Sequence, residues 1–379
     1  MGVRVEPHDR DRQADREHEP HEHELPARQA QRHGSMVARG AWQVVHCAAS
    51  DLCIVPAMAR MKFGVVLPMI GSLASTEAID AVCDKAEEVG IDSIWVIDHI
   101  LLPYSIGAKY PYNLTGEWAA GQGPWWDAFS IMSYAAARTS TVELGSCVII
   151  LPYRHPVHTA KIVATIDQLS RGRVQFGIGV GWMKDEFDNL QLDSFHHRGA
   201  LVNEQIEVFK EVWANDPASF DGDYYRFNEV SVTPKPYQNP HPPLLVGGNT
   251  DAALERTAAL CDGWLGISLR PQQLAEHRSR LLQRCEAHDR DGSDMPIAML
   301  HGINLTDDPD HRATLADHER AQSVTGTVEQ VVEELREFEE AGLTHIIASA
   351  RRFGRPGGGL QAVLDGLDTL AHDIMPAVR

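Results

Sequence analysis

The sequence lacks the features that define several large classes of protein. Its six cysteines form no C-x-x-C pair and no tight cluster, which argues against a disulfide framework or a cysteine zinc site and favours reduced thiols in a cytoplasmic protein. No apolar stretch approaches the roughly 18 residues of a membrane helix. The 34 Lys and Arg residues are outnumbered by 53 Asp and Glu residues, and the net charge of −19 argues against a binder of nucleic acid.

Two catalytic signatures are also missing. The chain has no G-x-S-x-G turn, the marker of serine hydrolases with an α/β fold. It has no H-x-x-x-H pair either, and the adjacent His196 and His197 are poorly placed to ligate one ion together. We therefore expect neither a serine nucleophile nor a metal site.

The first 60 residues differ in composition from the rest. Positions 1–35 are rich in acids, arginine and histidine and contain no aromatic residue, so they cannot bury enough apolar area to offset the entropy of ordering. Positions 36–60 resemble a poor signal peptide, but His46 and Asp51 interrupt the apolar run. We predict a disordered extension over 1–60 and a single structured domain over 61–379.

From Met61 onward, short apolar runs alternate with helical patterns. Eight such strand–helix pairs occur, and most of the runs are continuously apolar, as buried parallel strands require. The predicted strands are Phe63–Leu67, Ser93–Ile97, Val142–Leu151, Arg173–Val180, Leu244–Val246, Gly263–Ile267, Ile297–Leu305 and His345–Ser349. Eight βα units favour an α/β fold closed into a (β/α)8 TIM barrel with insertions, and an open doubly wound sheet is the alternative.

Two long insertions interrupt this rhythm. Residues 99–126 contain three tryptophans, Trp118, Trp125 and Trp126, and residues 215–243 contain a predicted hairpin followed by a proline-rich stretch. Long ordered loops in a compact domain are usually functional, and a barrel carries its chemistry on the loops that follow the strands. We expect the tryptophans to cover a substrate site.

Polar residues stand where several of these strands end. Asp98 and His99 end the second strand, where a barrel places catalytic groups, although a structural Asp–His pair is the alternative. Cys147 lies within the third strand, and composition favours it as a small core residue. Arg154 follows this strand and is a candidate for meeting an anion. After the eighth strand, Arg351 and Arg352 are equally consistent with an anion site and with solvated side chains.

Glycines dominate the ends of the fourth and fifth strands. Gly177, Gly179 and Gly181 alternate before Trp182, which would let a planar ligand or a phosphate approach the backbone. The spacing is not the dinucleotide fingerprint, and glycines also relieve crowding inside barrels. Gly247, Gly248 and Asn249 precede a helix and form either an anion site or an ordinary capped turn.

Taken together, these segments resemble the luciferase-like monooxygenase family, and within it the coenzyme F420-dependent oxidoreductases. Any one segment is modest, but their order and spacing are specific and cover nearly all of residues 61–350. The matching stretches are FGVVLP at 63–68, GIDSIWVIDH at 90–99, LGSCV at 144–148, PYRHP at 152–156, LSRGRVQFGIGVGW at 169–182, KDEF at 184–187, RG at 198–199, DGDYYRF at 221–227, PKP at 234–236 and VGG at 246–248.

The resemblance implies a TIM barrel that binds a deazaflavin or flavin at its mouth. Asp98 and His99 would lie beside the ring, with His99 as the catalytic proton donor or acceptor. A non-proline cis peptide at Cys147–Val148 would bulge the backbone under the ring. The cofactor's ribityl chain would lie along the first glycine segment, which contains Gly177, Gly179, Gly181 and Trp182. Its phosphate would lie at the second segment, which contains Gly247, Gly248 and Asn249.

The resemblance also sets the expected chemistry. It implies hydride transfer between F420 and a small organic substrate, in a cytoplasmic homodimer. An FMNH₂-dependent monooxygenase that needs a reductase partner is the alternative, and a non-catalytic binder on a barrel scaffold is a third possibility. Trp182 stands where the family's sugar-phosphate dehydrogenase has a carboxylate, so that substrate does not carry over.

Overall fold

The computed structural model describes residues 60–379, except 113–115, 117, 119–122 and 355–356, and the backbone alone at 42–44, 54–56 and 350–352. The chain divides into two units, 1–58 and 59–379. In the first unit, strands β1 (Trp42–Val44) and β2 (Ile54–Pro56) pair antiparallel. The predicted disorder of residues 1–60 concerns positions that lie almost entirely outside the described residues, so it remains a prediction.

The second unit is a closed parallel barrel with additional strands. The eight barrel strands are β3 (Lys62–Val66), β4 (Ser93–Val96), β5 (Glu143–Ser146), β7 (Val174–Gly179), β10 (Leu244–Gly247), β11 (Gly263–Ile267), β12 (Ile297–Leu305) and β14 (His345–Gly354). The additional strands are β6 (Ile149–Ile150), β8 (Ala218–Asp221), β9 (Arg226–Val230) and β13 (Ser323–Gly326). Each barrel strand pairs in parallel with the next in chain order, and β14 pairs with β3 to close the ring.

Helices separate the barrel strands and cover their outer face. The main helices are α1 (Thr76–Val89), α2 (Ala128–Arg138), α3 (Pro156–Ser170), α5 (Arg198–Ala214), α6 (Asp251–Leu260), α7 (Pro271–Ala287), α10 (Val328–Glu340) and α11 (Gly359–Thr369). The short ones are α4 (Lys184–Asn189), α8 (His311–Thr314), α9 (Asp317–Arg320) and α12 (Met375–Val378). A single π-turn over Leu370–Ile374 joins α11 to α12.

Helix α1 shows how local sequence sets these boundaries. The Ser75 side chain accepts a hydrogen bond from the backbone N–H of Ala78 and satisfies one free donor at the helix start. Gly90 ends the helix at φ 75°, a conformation that costs glycine little. Between these caps, apolar residues at helical spacing face the sheet, and this burial supplies most of the helix's stability.

Inside the barrel, side chains from different strands form a small apolar cluster. Its buried members are Val66, Trp95, Cys147, Leu245, Leu265, Ala298 and Ile347. The indole of Trp95 fits only because two neighbouring strands carry glycine beside it. A Cβ at Gly145 would lie 2.2 Å from Trp95 Cε3, and one at Gly64 would lie 2.6 Å from Trp95 Nε1. The barrel is therefore filled below its mouth.

The structure confirms the predicted TIM barrel and the hairpin in the second insertion, which is β8–β9. It differs from the predicted elements in several places, and the eighth strand runs on to Gly354 instead of ending at Ser349. The third predicted strand is interrupted at Cys147–Val148, and the sequence analysis missed β13, which pairs with β12. Within the described part of the chain, no helix combines the length and apolarity needed to cross a membrane.

Candidate active site

A cavity of about 200 Å³ opens at the carboxyl ends of the barrel strands. This is the end at which TIM-barrel enzymes carry their chemistry. Most of the residues singled out from the sequence line it: Asp98, His99, Cys147, Val148, Gly179, Gly181, Trp182, Gly247 and Gly248. The remaining walls come from apolar side chains of the barrel and from aromatic side chains of the insertion after β4.

The Asp98 carboxylate is buried and fully engaged by protein groups. Its two oxygens accept hydrogen bonds from the Arg154 guanidinium at 2.6 and 2.8 Å, and one also accepts the Ile150 backbone N–H at 2.9 Å. Arg154 is therefore not available to a ligand anion, contrary to what its position in the sequence suggested. The pair joins the end of β4 to the segment after β6 and so fixes the loop that precedes His99.

His99 is held by a carboxylate that the sequence analysis did not identify. Its Nδ1 lies 2.6 Å from Glu186 Oε2, and the Glu186 side chain is completely buried. Glu186 also accepts hydrogen bonds from the Tyr153 hydroxyl and from two backbone N–H groups, those of Ile100 and Leu101. An ionised carboxylate only accepts, so Nδ1 donates and Nε2 is the ring nitrogen available to a molecule in the cavity.

The backbone between β5 and β6 contains the expected non-proline cis peptide, Cys147–Val148. The Val148 side chain lies between two glycines on neighbouring strands. A Cβ at Gly179 would lie 2.4 Å from Val148 Cγ2, and one at Gly247 would lie 2.5 Å from Val148 Cγ1. A side chain at either glycine would clash with Val148, so both positions require glycine. The three residues together form one wall of the cavity.

The surroundings of Cys147 do not favour a nucleophilic thiolate. Burial raises the pKa of the Cys147 thiol well above its ordinary value, and no charged group compensates. Thiolates are the reactive form of cysteine, and they occur where the surroundings are electropositive. Cys147 therefore serves as a small wall residue, which is the alternative that composition favoured.

Two of the proposed cofactor residues lie outside the cavity. Gly177 packs on the neighbouring strand, where an added Cβ would lie 1.8 Å from the Ser146 carbonyl oxygen. The Asn249 side chain spans from β10 to the end of β11, donating to the Ile267 carbonyl at 2.7 Å and accepting the Ile267 N–H at 3.1 Å. In this structure both residues shape the barrel rather than line the site.

Gly181 and Gly248 take backbone conformations that favour glycine. Their φ angles are 79° and 115°, and an added Cβ on Gly181 would lie 2.8 Å from Phe187 Cε2. After Gly248, Thr250 caps α6, with its hydroxyl accepting from the Ala253 N–H. The strand–glycine–helix arrangement expected of an anion-binding turn is therefore present at the rim of the cavity.

Aromatic rings form another part of the cavity lining. Trp118 and Trp125 lie 5.5 Å apart between ring centroids, and each lies 5.1 Å from His99. Trp182 lies 5.8 Å from Trp118 and 5.2 Å from Tyr110, which extends the cluster. Trp126, the third tryptophan of the insertion, packs against the main core instead. Two of the three expected tryptophans therefore cover the site.

The sequence contained one signal for the missed partner of His99. Glu186 is an acid in the stretch KDEF at 184–187, shortly after the glycine-rich strand, and this stretch by itself gives the acid no role. Its neighbour Asp185 accepts the backbone N–H of Ala108 at 3.0 Å, so α4 also holds the insertion in place. Sequence spacing does not show that α4 faces a loop that begins about 85 residues earlier.

Comparisons with known proteins agree with this geometry. The profile of the family described as luciferase-like monooxygenase matches residues 61–320. An F420-dependent glucose-6-phosphate dehydrogenase from Amycolatopsis mediterranei is 25% identical over 330 residues, which cover 78% of this chain and 92% of that protein. An FMNH(2)-dependent dimethylsulfone monooxygenase from Pseudomonas putida is 35% identical over 138 residues, covering 36% and 38%.

A solved structure supports the fold. The coenzyme F420-dependent tetrahydromethanopterin reductase from Methanopyrus kandleri matches with a TM-score of 0.66 at 17% identity, and the match covers 85% of this chain and 100% of that one. At this level of identity the likeness concerns the fold alone.

Proposed function

Because the chain belongs to the luciferase-like monooxygenase family, we propose that it is an oxidoreductase that transfers a hydride between coenzyme F420 and a small organic substrate. One observation carries the proposal: a single cavity is lined by Val148 with Gly179 and Gly247, by Trp118, Trp125 and Trp182, and by His99. The relative from Amycolatopsis mediterranei, whose name includes F420, is similar along most of both chains and supports the choice of cofactor.

The residues present fit a deazaflavin. A planar ring system needs a flat slot, and the wall around Val148 is flat because Gly179 and Gly247 carry no side chains. The turn at Gly247 and Gly248 precedes α6, where free N–H groups and the helix dipole suit the cofactor's phosphate. Asp98, bound to Arg154, would support the edge of the ring without adding an unpaired charge.

When bound, F420 supplies the centre that accepts or donates the hydride. The protein's own part is to orient the substrate, exclude water and move one proton. His99 Nε2 is placed to give that proton to the substrate oxygen or to take it away, and Glu186 holds the ring in the required tautomer. Trp118 and Trp125 cover this position and separate it from solvent.

A second candidate is an FMNH₂-dependent monooxygenase that receives its flavin from a reductase. The similarity to the dimethylsulfone monooxygenase favours it, although that match spans little more than a third of either chain. The slot described above suits both ring systems. Cofactor preference therefore separates the two functions.

The test is a pair of titrations of the purified protein with F420 and with FMN. Three of the eight tryptophans line the cavity, so binding is expected to quench intrinsic fluorescence. Tight binding of F420 with weak binding of FMN is the expected result. Preference for FMN would support the monooxygenase. Failure of both to bind a sample that is folded by circular dichroism would overturn the proposal.

We further propose a cytoplasmic homodimer, with a reductase as partner only if the cofactor is FMN. The support is the reduced-thiol pattern of the sequence and the family resemblance. Light scattering of the purified protein with and without F420 measures the mass in solution. A monomer at working concentration in both conditions would contradict the dimer.

A further inference from the structure

An arginine beside the cavity has no acidic partner within the part of the chain that the structure describes. Arg198 is the first residue of α5, and its Nε donates at 2.9 Å to the carbonyl of Gly181, which lines the cavity. Its Nη1 donates at 2.6 Å to the carbonyl of Phe195. Arg154, by contrast, is bound to the Asp98 carboxylate. Arg198 therefore carries a charge that no described acid neutralises.

The Arg198 guanidinium is held in position by the protein itself. It packs over the ring of Phe195, 4.1 Å from the ring centroid. A guanidinium has about five N–H donors, and the hydrogen bonds to the two backbone carbonyls use only some of them. Burial lowers the pKa of Arg198, but an arginine stays charged even so, because its ordinary pKa is very high. An anion that reaches it would meet a preorganised charged donor.

Tyr112 links this cation with the rim of the cavity. The Tyr112 hydroxyl lies close to Gly248, since a Cβ added to that glycine would lie 3.1 Å from the hydroxyl oxygen. Burial raises the pKa of Tyr112, and the charge of Arg198 is near enough to oppose this rise. Tyr112 therefore stays a neutral hydroxyl that can donate a hydrogen bond to an anion.

The turn at Gly248 adds backbone donors to the same region. Gly248 has a φ of 115° and lies just before α6, whose N-cap is Thr250. The start of a helix presents backbone N–H groups and the positive end of the helix dipole, and both favour an anion. A guanidinium, a phenol and a helix start thus meet at one end of the cavity, and all three suit a phosphate.

A row of aromatic rings separates this end of the cavity from His99. The successive distances between ring centroids are 5.1 Å from His99 to Trp118, 5.8 Å to Trp182, 5.2 Å to Tyr110 and 5.5 Å to Tyr112. A ligand whose reacting ring lies beside His99 can therefore place an anionic group near Tyr112 if a flexible chain joins the two parts. The cofactor considered above has this form.

We infer that Arg198, Tyr112 and the turn at Gly248 form one subsite for a phosphate group on a ligand of the cavity. The inference rests on the proposed function, because F420 and FMN each carry a phosphate at the end of the ribityl chain. In the sequence, Arg198 stands out only as part of the RG stretch at 198–199. A phosphate on the substrate would share this chemistry, and affinity measurements distinguish the two sources.

The test compares ligands that differ in their phosphate. FMN and riboflavin differ by the phosphate alone, and F420 is compared with the deazaflavin that has the same ring and ribityl chain but ends before the phosphate. Dissociation constants are measured by tryptophan quenching for wild-type protein and Arg198→Gln. The variant is expected to bind the phosphate-bearing cofactor at least about tenfold more weakly, which corresponds to about 1.4 kcal/mol. The phosphate-free compounds should bind both proteins alike.

Matched variants control for charge and for the fold. Arg336→Gln removes an exposed arginine that also donates to a backbone carbonyl, and it should leave every affinity unchanged. Tyr112→Phe should weaken the phosphate-bearing cofactor about threefold or more, the usual effect of losing a neutral hydrogen bond. Tyr104→Phe alters a side chain of the same insertion that is 94% exposed and should have no effect.

Inorganic phosphate is the second probe, and phosphorus NMR follows its binding to protein loaded with F420. If Arg198→Gln weakens only the phosphate-bearing cofactor, the subsite holds the cofactor's phosphate. If cofactor affinity is unchanged but Arg198→Gln weakens the binding of inorganic phosphate to the loaded protein, the subsite serves the substrate. Both results support the subsite.

Three results would overturn the inference. Equal weakening of ligands with and without phosphate in Arg198→Gln would mean that Arg198 acts only through the fold around Gly181. No effect of Arg198→Gln on any ligand would remove its role altogether. An equal or larger loss in Lys109→Gln would assign the phosphate to the exposed lysine beside Tyr110 instead.

The outcomes also separate this inference from the proposed function. If F420 binds but Arg198→Gln does not discriminate between ligands with and without phosphate, the inference fails and the function stands. If neither F420 nor FMN binds the folded protein, the proposed function fails. Binding of inorganic phosphate to the protein alone, weakened by Arg198→Gln, would then still support the subsite.

Discussion

Two largely buried histidines lie at opposite ends of the barrel wall, and their surroundings differ. His345 begins β14, and its Nε2 lies 2.7 Å from the hydroxyl of Ser93, which also accepts from the Trp95 indole at 2.6 Å. His99 follows β4 at the other end, where its Nδ1 faces a buried carboxylate and its ring lines a cavity. The same residue type is thus part of a closed core at one end and lines a cavity at the other.

The difference identifies the surroundings that would allow a buried histidine of this fold to act on a ligand. Burial lowers the pKa of His345 to about 3, with a smaller contribution from Lys62, so the ring is neutral and acts as a packing and hydrogen-bonding group. His99 has an ionisable partner that fixes one nitrogen and leaves the other for a ligand. Five measurements test this comparison between the cavity end and the closed end.

The largest expected effect is on turnover at His99. His99→Ala should lower the rate of F420 turnover about 10²- to 10⁴-fold, because a positioned proton donor or acceptor contributes that much. The F420 dissociation constant, measured by tryptophan quenching, should change much less. Equal losses in binding and turnover would contradict a catalytic role for His99. Both histidines would then have structural roles.

Breaking the ion pair beside the cavity should affect stability. Asp98→Asn leaves the buried Arg154 with only the more exposed Asp127 carboxylate, 3.8 Å away, and should lower the free energy of unfolding by about 3–5 kcal/mol. The matched control is Asp221→Asn, which breaks the pair with Arg226 in the exposed hairpin and should cost under about 1 kcal/mol. Urea denaturation measures both. If the two variants lowered the free energy of unfolding by similar amounts, the buried Asp98–Arg154 pair would contribute no more to stability than the exposed pair.

Removing the charge of Glu186 should weaken catalysis without removing the histidine. Glu186→Gln is expected to lower turnover about 10- to 100-fold, the usual effect of losing a partner that orients a functional ligand. The pH profile of turnover should also move, since the acid beside the ring is replaced by an amide. Tyr153→Phe, which removes one donor to Glu186, is the milder control. An unchanged pH profile in Glu186→Gln would reduce Glu186 to a structural role.

The fit between Val148 and its neighbouring glycines, Gly179 and Gly247, can be tested by adding a side chain and then shortening the valine. Gly179→Ala places a Cβ 2.4 Å from Val148 Cγ2 and should cost about 1–3 kcal/mol of stability, together with weaker F420 binding. Val148→Ala in the same chain should restore part of both losses. Gly107→Ala, whose Cβ would meet nothing closer than 3.4 Å, is the control. Absence of any rescue would show that Val148 does not set the shape of the wall.

The effect that is smallest over a single pH unit is a pH dependence at the closed end. An unfolded histidine has a pKa of about 6.5, whereas folded His345 has a pKa of about 3, so the unfolded chain binds more protons in this window. Stability from this site is therefore complete above pH 6.5 and is lost as the pH falls from about 6.5 toward 3, by at most about 1.4 kcal/mol per pH unit. His345→Gln should flatten this slope in urea denaturation. An unchanged slope would show that His345 is not held neutral.

The sequence predicted much of the fold and part of the site. The boundaries of the strands β11 and β12 agree with the structure, because glycines and apolar periodicity are local signals. The cis peptide at Cys147–Val148 followed from the family resemblance and is confirmed. The short elements β13, α8 and α9 were missed, since short segments carry little periodicity.

By itself, then, the sequence determined the eight βα units, the barrel that they close into and the strand ends where chemistry is expected. Only the tertiary structure decided how the side chains at those ends are used. In the folded chain, Arg154 binds Asp98, and Glu186 pairs with His99 from a distant part of the sequence. Gly177 and Asn249 make contacts within the barrel. The physical reason is that local patterns fix which face of an element is buried, whereas hydrogen bonds between distant loops depend on where the closed barrel brings them together.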